Sequence, residues 1–255
     1  MHNRRTLLGA TLAVATALAM TPVASVAQSA WPNKPVRIIV PFPAGGSTDV
    51  IARQLAQRLG NTLGQQFIVE NKAGAGGNIG TDAVAKAAPD GYTIGLSTSG
   101  PLANNKSLYK DMPYDSDKDL TPIALVGEIP LVIVANPQVK ATNLKEFLAL
   151  AKADPKAISV GHPGNGTIGH LALEALKSTA GVEMQSVPYK GDTPAMTDLL
   201  GGSIQAISAP ATAFIPNIQA NNLVALAGTS KKRFPGPPNV PTAQELGVNM
   251  EATVW

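Results

Sequence analysis

Two stretches of this sequence follow one plan: an apolar strand, a glycine loop that contains proline, a hydroxyl residue, and a helix that ends in glycine. They read VPFPAGGSTDVIARQLAQRLG at 40–60 and AISVGHPGNGTIGHLALEALKSTAG at 157–181. A glycine turn that opens a helix leaves backbone N–H groups unpaired at the positive end of the helix dipole, where anions bind readily. The plan predicts an α/β fold with an anion site at these loops. The anion could be a phosphate, a nucleotide or a carboxylate.

The hydrophobic pattern alternates between strand and helix along the chain after residue 35. It predicts strands at 36–42, 66–71, 93–98, 123–136, 158–161, 184–190 and 204–209. It predicts helices over 83–88, 143–153, 167–178 and 193–200, and an earlier helix that ends at Gly60. Such a series is typical of parallel sheets covered by helices. We therefore expect two α/β lobes, each with a mainly parallel sheet, joined near 124–128.

Residues 1–27 have the layout of an export signal. Arg4 and Arg5 precede an apolar run, Pro22 breaks it, and Ala27 is a small residue suited to cleavage before the next position. The run is too short and too rich in Ala and Thr for the alternative, a membrane anchor. We expect export to the periplasm, through either the general secretory route or the twin-arginine route.

Charge and motifs exclude several functions. Without the two signal arginines the chain has 18 basic and 17 acidic residues, so it lacks the basic surface that nucleic acids require. It has no cysteine, which excludes disulfides and cysteinyl metal sites. The glycines of GAGGNIG at 74–80 do not have the G-x-G-x-x-G spacing of dinucleotide-binding loops. The sequence also contains neither a P-loop motif nor the G-x-S-x-G motif of a nucleophile elbow. The sequence therefore predicts a non-enzymatic protein without a cofactor.

Six blocks in order along the chain resemble one family. They are VPFPAGGSTDVIAR, NKAGAGGNIGTDAVAKAAPDGYT, LYKDMPYDSDKDLTPIALVG, GNGTIGHLALE, VPYKGDTPAMTDLLGG and KKRFPGPPNVPTAQELG. Together they are similar to the Bug-type extracytoplasmic solute receptors of tripartite tricarboxylate transporters. The resemblance implies a two-lobed, periplasmic-binding-protein-like (Venus flytrap) fold. It also implies a monomer that captures a di- or tricarboxylate, an amino acid or an aromatic acid between its lobes for the transporter's membrane subunits.

The resemblance also implies binding residues in the first lobe. Those matching the family's first carboxylate loop are Phe42, Pro43, Ala44, Gly45 and Gly46. Asp49 matches an acid of the same motif. It could orient the loop, meet a ligand ammonium, or only occupy a first helical turn where the dipole favours a carboxylate.

In the second lobe, three residues match the family's second carboxylate contact: Asn165, Gly166 and Thr167. The Thr167 hydroxyl could donate to the ligand, cap the following helix, or do both. His170 lacks a partner with zinc-ligand spacing, so we expect it beside the cleft or packed under it and predict no metal. Tyr189 and Lys190 open a further loop at the cleft wall, while Asp198 is expected on a helix surface.

Two departures from the family pattern concern the polar lining of the cleft. Ser208 and Ala209 stand where members often carry an acid. The Thr-His pair frequently seen before the element formed here by Asn105, Leu108 and Tyr109 is missing. The ligand is therefore left open by the sequence.

The resemblance further implies that the first lobe, 28–125, is completed by a C-terminal portion. The chain would return to it near 250–255, after a second lobe at 126–249. On this interpretation the sequence is a partial receptor, and a receptor without function is one alternative. A sensory receptor that binds the same ligand and reports to another protein is a second alternative.

The signal layout yields a direct test. We expect the precursor to be cut close to Ala27, because the small residues that precede Gln28 suit signal peptidase. N-terminal sequencing of protein from the cell envelope fraction measures this, and exported material beginning at Met1 would contradict it.

Overall fold

A computed structural model describes residues 31–233 and 239–255, and the predicted export signal lies outside them. Lys34–Trp255 form one compact unit. Its strands are β1 Val36–Val40, β2 Phe67–Asn71, β3 Thr93–Gly95, β4 Ile129–Ala135, β5 Ser159–His162, β6 Gln185–Pro188, β7 Ala206–Pro210, β8 Val224–Gly228 and β9 Thr253–Val254. Its helices are α1 Ser47–Leu63, α2 Asn78–Ala85, α3 Asn105–Leu108, α4 Leu144–Ala153, α5 Ile168–Ala180, α6 Asp192–Leu200 and α7 Ile215–Gln219. None of the helices within these described ranges is long and apolar enough to span a membrane.

The first sheet has the strand order β2-β1-β3, and both pairs are parallel. Ile38 and Val40 of β1 are buried against Ala52 and Ala56 of α1. The alternating strand and helix pattern is thus confirmed in this half, which we call the first lobe.

The second sheet has the order β6-β5-β7-β4-β8, and with α4–α7 it forms the second lobe. The β5-β6 and β5-β7 pairs are parallel, but β4 runs antiparallel to both of its neighbours. Leu131 and Ile133 enter one apolar cluster while Val132 and Val134 enter another on the opposite face. The unbroken apolar run of β4 reflects burial on both faces. The fold class is confirmed, although the predicted mainly parallel sheet is mixed in this lobe.

The last residues lie between the two sheets. Thr253 and Val254 pair antiparallel with Pro130 and Ile129 at the start of β4. The next residue, Trp255, accepts a hydrogen bond through its carbonyl oxygen from the amide of Ser99 in the first lobe, at 3.0 Å. The predicted lobe boundaries themselves remain a prediction.

The bounds of both helices predicted in the first lobe are wrong, and the strands predicted at 36–42 and 93–98 end at Val40 and Gly95. α1 continues through Gly60 to Leu63, because it is Gly64 that takes the left-handed conformation (φ 70°) and donates its amide to the Gly60 carbonyl. α2 begins at Asn78 rather than at 83, after a short 3₁₀ turn at Ala75–Gly77.

The predicted strand at 123–136 is shorter than its apolar pattern. Residues 121–128 have no regular secondary structure, and Ile123 and Leu125 are 79% and 66% exposed. β4 begins only at Ile129, where β9 supplies a pairing partner. Apolar β-branched composition favours a strand, but a strand needs a neighbour for its hydrogen bonds.

The end of α1 predicts a stability effect. Gly64→Ala places a Cβ on a left-handed residue and should lower the free energy of unfolding by about 1–2 kcal/mol, although no atom lies within 4 Å of that Cβ. Gly127→Ala is the matched control, since its Cβ also meets open space and its φ is not positive. Urea denaturation of both variants measures the difference. Equal stability of the two would contradict a left-handed cap at residue 64.

Candidate functional site

Three helices begin around one small cavity. α1, α5 and α6 have 17, 13 and 9 residues, and each contributes residues of its first turn to the cavity wall. The lining residues are Phe42, Thr48, Thr98, Pro163, Thr167, Ile168, Gly169, Asp192, Pro210 and Val254. The cavity measures about 20 Å³, enough for one water. Since helix N-termini carry unpaired N–H groups and partial positive charge, their convergence suits an anion.

A larger groove of about 710 Å³ follows α1 and β2, between Arg53 and Val69. No helix begins on its wall, and none of the glycine-loop residues lines it. The small cavity is therefore the better candidate site.

The first glycine loop is organised by Asp49, which is 2% exposed. One carboxylate oxygen accepts from the Gly45 amide and from Arg53 Nε, at 2.9 and 2.8 Å, and the other accepts from Asn71 Nδ2 at 2.8 Å. Burial alone would raise the pKa of Asp49, but these hydrogen bonds outweigh it and hold the pKa below its usual value. Asp49 thus orients the loop, one of the roles considered from the sequence.

Three successive amides, at residues 45–47, are paired within the protein. Gly45 donates to Asp49, Gly46 donates to the Pro43 carbonyl at 3.3 Å, and Ser47 donates to Asp192 Oδ2 at 2.9 Å. Gly45 has a φ of 79°, whereas Gly46 is extended. The loop needs glycine at 45 for its turn, while at 46 an added Cβ would press on Pro43 and Asp192.

The first loop faces the starts of α6 and of the turn after β7. Thr193 Oγ1 donates to the Ala44 carbonyl at 2.9 Å. Ser47 Oγ donates to the Pro210 carbonyl and accepts from the Ala213 amide, at 3.0 and 3.1 Å. Thr167, of the second glycine loop, lines the same cavity as Phe42 and Thr48 beside the first loop.

The second loop contacts residues 100–109. The Asn165 carbonyl accepts from the Tyr109 hydroxyl at 3.1 Å, and the Gly166 carbonyl accepts from Asn104 Nδ2 at 3.4 Å. Thr167 Oγ1 donates to the Gly164 carbonyl at 2.7 Å and accepts the His170 amide at 3.5 Å. Thr167 therefore caps α5, and its hydroxyl proton is already engaged. Of these residues only Thr167 lines the cavity.

Two histidines accept hydrogen bonds from backbone amides of the second loop. Nδ1 of His162 accepts the Gly164 amide, and Nδ1 of His170 accepts the Gly166 amide, both at 3.3 Å. The rings lie 4.6 Å apart. Burial, with the nearby His170, lowers the pKa of His162 to about 4, so the buried ring is neutral. Within the described residues no cluster of potential metal ligands is found.

Tyr189 and Lys190 lie outside the cavity. The Tyr189 hydroxyl donates to Asp198 Oδ2 at 2.7 Å, and burial, then Asp198, raises the pKa of Tyr189 to about 12. Lys190 is exposed to solvent. Asn105, which belongs to the element that lacks the preceding Thr-His pair, donates to Asn78 Oδ1 at 2.6 Å.

Sequence reasoning missed several residues that line the cavity. They are Thr48, Thr98, Pro163, Ile168, Gly169, Asp192, Pro210 and Val254. A signal for some was present, because an acid or threonine beside glycine at a helix start marks an N-terminal turn. Val254 and Thr98 could not be found in this way, since only the fold brings them to the cavity.

A cavity between two α/β lobes, lined by helix starts and threonines, is the arrangement of a solute-binding receptor of the periplasmic-binding-protein class. The chain belongs to the family described as "Tripartite tricarboxylate transporter family receptor", which matches residues 51–255. BugT of Bordetella pertussis is 44% identical over 97% of this chain and 75% of its own length.

Solved structures agree with this assignment. The periplasmic binding protein BugD has a TM-score of 0.84 and 40% identity, covering 88% of this chain and 75% of that one. MatC from Rhodopseudomonas palustris with bound malate has a TM-score of 0.82 and 31% identity over 88% of this chain and 77% of MatC. An R. palustris protein solved with adipate has a TM-score of 0.86 and 35% identity, covering 88% of this chain and 76% of that one. The fold and the family are those of solute-binding receptors.

The bonds of Asp49 predict a pH-dependent contribution to stability. Asp49→Asn turns an acceptor toward Asn71 into a donor and should lower the free energy of unfolding by about 1–3 kcal/mol at pH 7. Because the folded pKa lies below the ordinary 3.8, this contribution is present above pH 3.8 and is lost as the pH falls through the folded value. Urea denaturation from pH 7 to pH 2.5 measures it.

Glu251→Gln is the control for Asp49→Asn, because Glu251 and Lys231 form only an exposed ion pair at 3.4 Å. That variant should change stability by less than about 1 kcal/mol. A loss for Asp49→Asn that is equally large at pH 2.5 would contradict the role assigned to the charge.

Proposed function

We propose that this protein captures a small organic carboxylate in the cavity between its lobes and presents it to the membrane subunits of a tripartite transporter. The observation that carries the proposal is the convergence of the α1, α5 and α6 starts on one cavity. Solved relatives with malate and with adipate support a carboxylate as the ligand.

A carboxylate fits this site better than a phosphate does. No lysine or arginine is among the lining residues, so the donors are backbone amides and the hydroxyls of threonines such as Thr48 and Thr98. Phosphate sites usually add a cationic side chain to such donors, whereas a singly charged planar anion is satisfied by neutral ones. The lining also includes Phe42, Ile168 and Val254, which suit a carbon chain.

The proposal includes the place and mode of action. The signal at residues 1–27 would deliver the mature chain to the periplasm, where such receptors meet their solutes. The protein would bind without catalysis and act as a monomer. The cavity has room for about one water, so an organic acid would enter after the two lobes separate and would be enclosed when they close.

A ligand screen tests the proposal. A ligand that binds the folded protein stabilises it by about 2.7 kcal/mol at a hundredfold excess over Kd, a rise of several degrees in Tm. We expect such shifts with di- and tricarboxylates, amino acids or aromatic acids, and none with phosphate, nucleotides or sugars. Differential scanning fluorimetry on protein freed of ligand by unfolding and refolding measures this.

Three substitutions accompany the screen. Thr48→Val and Thr98→Val remove hydroxyls from the cavity wall and should weaken binding by about 1–3 kcal/mol each. Thr121→Val, at an exposed position outside the cavity, is the control and should leave the shift unchanged. A response to nucleotides alone, or carboxylate binding that neither cavity variant weakens, would reject the proposed site.

A further inference from the structure

The carboxylate of Asp192 occupies the start of a helix in the opposite lobe. Its Oδ2 accepts the amide of Ser47, which lies 145 positions earlier in the chain, and Asp192 is only 7% exposed. α1 has no side-chain cap of its own, because Gly46 stands at its N-cap. The second lobe therefore supplies the anion that the positive end of α1 favours.

The start of α5 contributes two residues with backbone donors to the cavity wall. Thr167 caps it by accepting the His170 amide. The amides of Ile168 and Gly169 precede the first intrahelical hydrogen bond, and both residues line the cavity. A ligand carboxylate is best placed there.

Asp192 adds a carboxylate to the cavity wall. It is the only ionisable residue among the ten that line the cavity. Burial raises the pKa of Asp192, which reflects the cost of a charge away from water. A ligand carboxylate beside it would add like-charge repulsion, whereas a hydroxyl or ammonium group would donate to it.

We infer that Asp192 determines specificity: the cleft selects organic acids that place a carboxylate at the α5 start and a hydroxyl or ammonium group beside Asp192, over acids of equal length without that donor. The inference rests on the proposed function and deepens it. The carboxylate provides affinity through the helix start, and the donor provides discrimination through a charge-assisted hydrogen bond.

Three four-carbon acids isolate this effect: succinate, malate and aspartate differ in whether a hydrogen, a hydroxyl or an ammonium group stands next to a carboxylate. Isothermal titration calorimetry of refolded protein at pH 7.5 gives Kd for each. We expect malate or aspartate to bind at least about tenfold more tightly than succinate, the size of a hydrogen bond to a charged group.

Two variants test the residue. Asp192→Asn keeps an acceptor for the Ser47 amide and removes the charge, so the preference should fall to about threefold or less as succinate gains affinity. Asp192→Ser provides the same test with a smaller acceptor, should the first variant fold poorly. Asp198→Asn is the matched control on the same helix, because Asp198 bonds Tyr189 outside the cavity. It should keep the wild-type preference.

The outcomes separate the two claims. Equal binding of the three acids by the wild type, or a preference unchanged in both Asp192 variants, would overturn the inference and leave the proposed function standing. Failure of all three acids to bind would overturn the inference. The proposed function would be overturned only if, in addition, no carboxylate in the screen shifted Tm.

Discussion

The hydrogen bond between the Ser47 amide and the Asp192 carboxylate is the interaction on which the arrangement of the cleft depends. The start of α1 is buried, and a buried N–H group without an acceptor costs free energy comparable to a lost hydrogen bond. Ser47 adds two further bonds to the second lobe through its hydroxyl. The residue that begins the first long helix therefore contacts the other lobe through both its amide and its hydroxyl.

Close backbone approach between the lobes explains several glycines. A Cβ on Gly76 would overlap the Asn165 carbonyl, and a Cβ on Gly191 would overlap the ring of Pro43. Gly166 lies equally close to the side chain of Asn105. The loops of Pro43 and of Asn165–Gly166 were interpreted from the sequence as anion loops, and in the structure both contact the opposite lobe. Glycine serves both purposes because it exposes amides and lets two backbones meet.

Local reasoning succeeded where local pattern is decisive. The β1 and α1 unit, the β5 and α5 unit and the two glycine loops lie where periodicity and turn residues predicted them. It failed at Gly60, where two glycines four residues apart compete to end one helix and only Gly64 adopts the left-handed cap. It also failed at residues 123–128, because an apolar run becomes a strand only where a neighbouring strand pairs with it.

The sequence by itself determined the α/β alternation, the two loops that open onto helix starts, and the family to which they belong. These follow from residue order, because hydrophobic period and glycine placement act over a few residues. The tertiary structure alone decided that the acceptor for the Ser47 amide, at the start of α1, is Asp192. It also brought Thr98 and Val254 to one wall. Such contacts join residues up to about 160 positions apart, and no local pattern encodes which distant acceptor a helix start will meet.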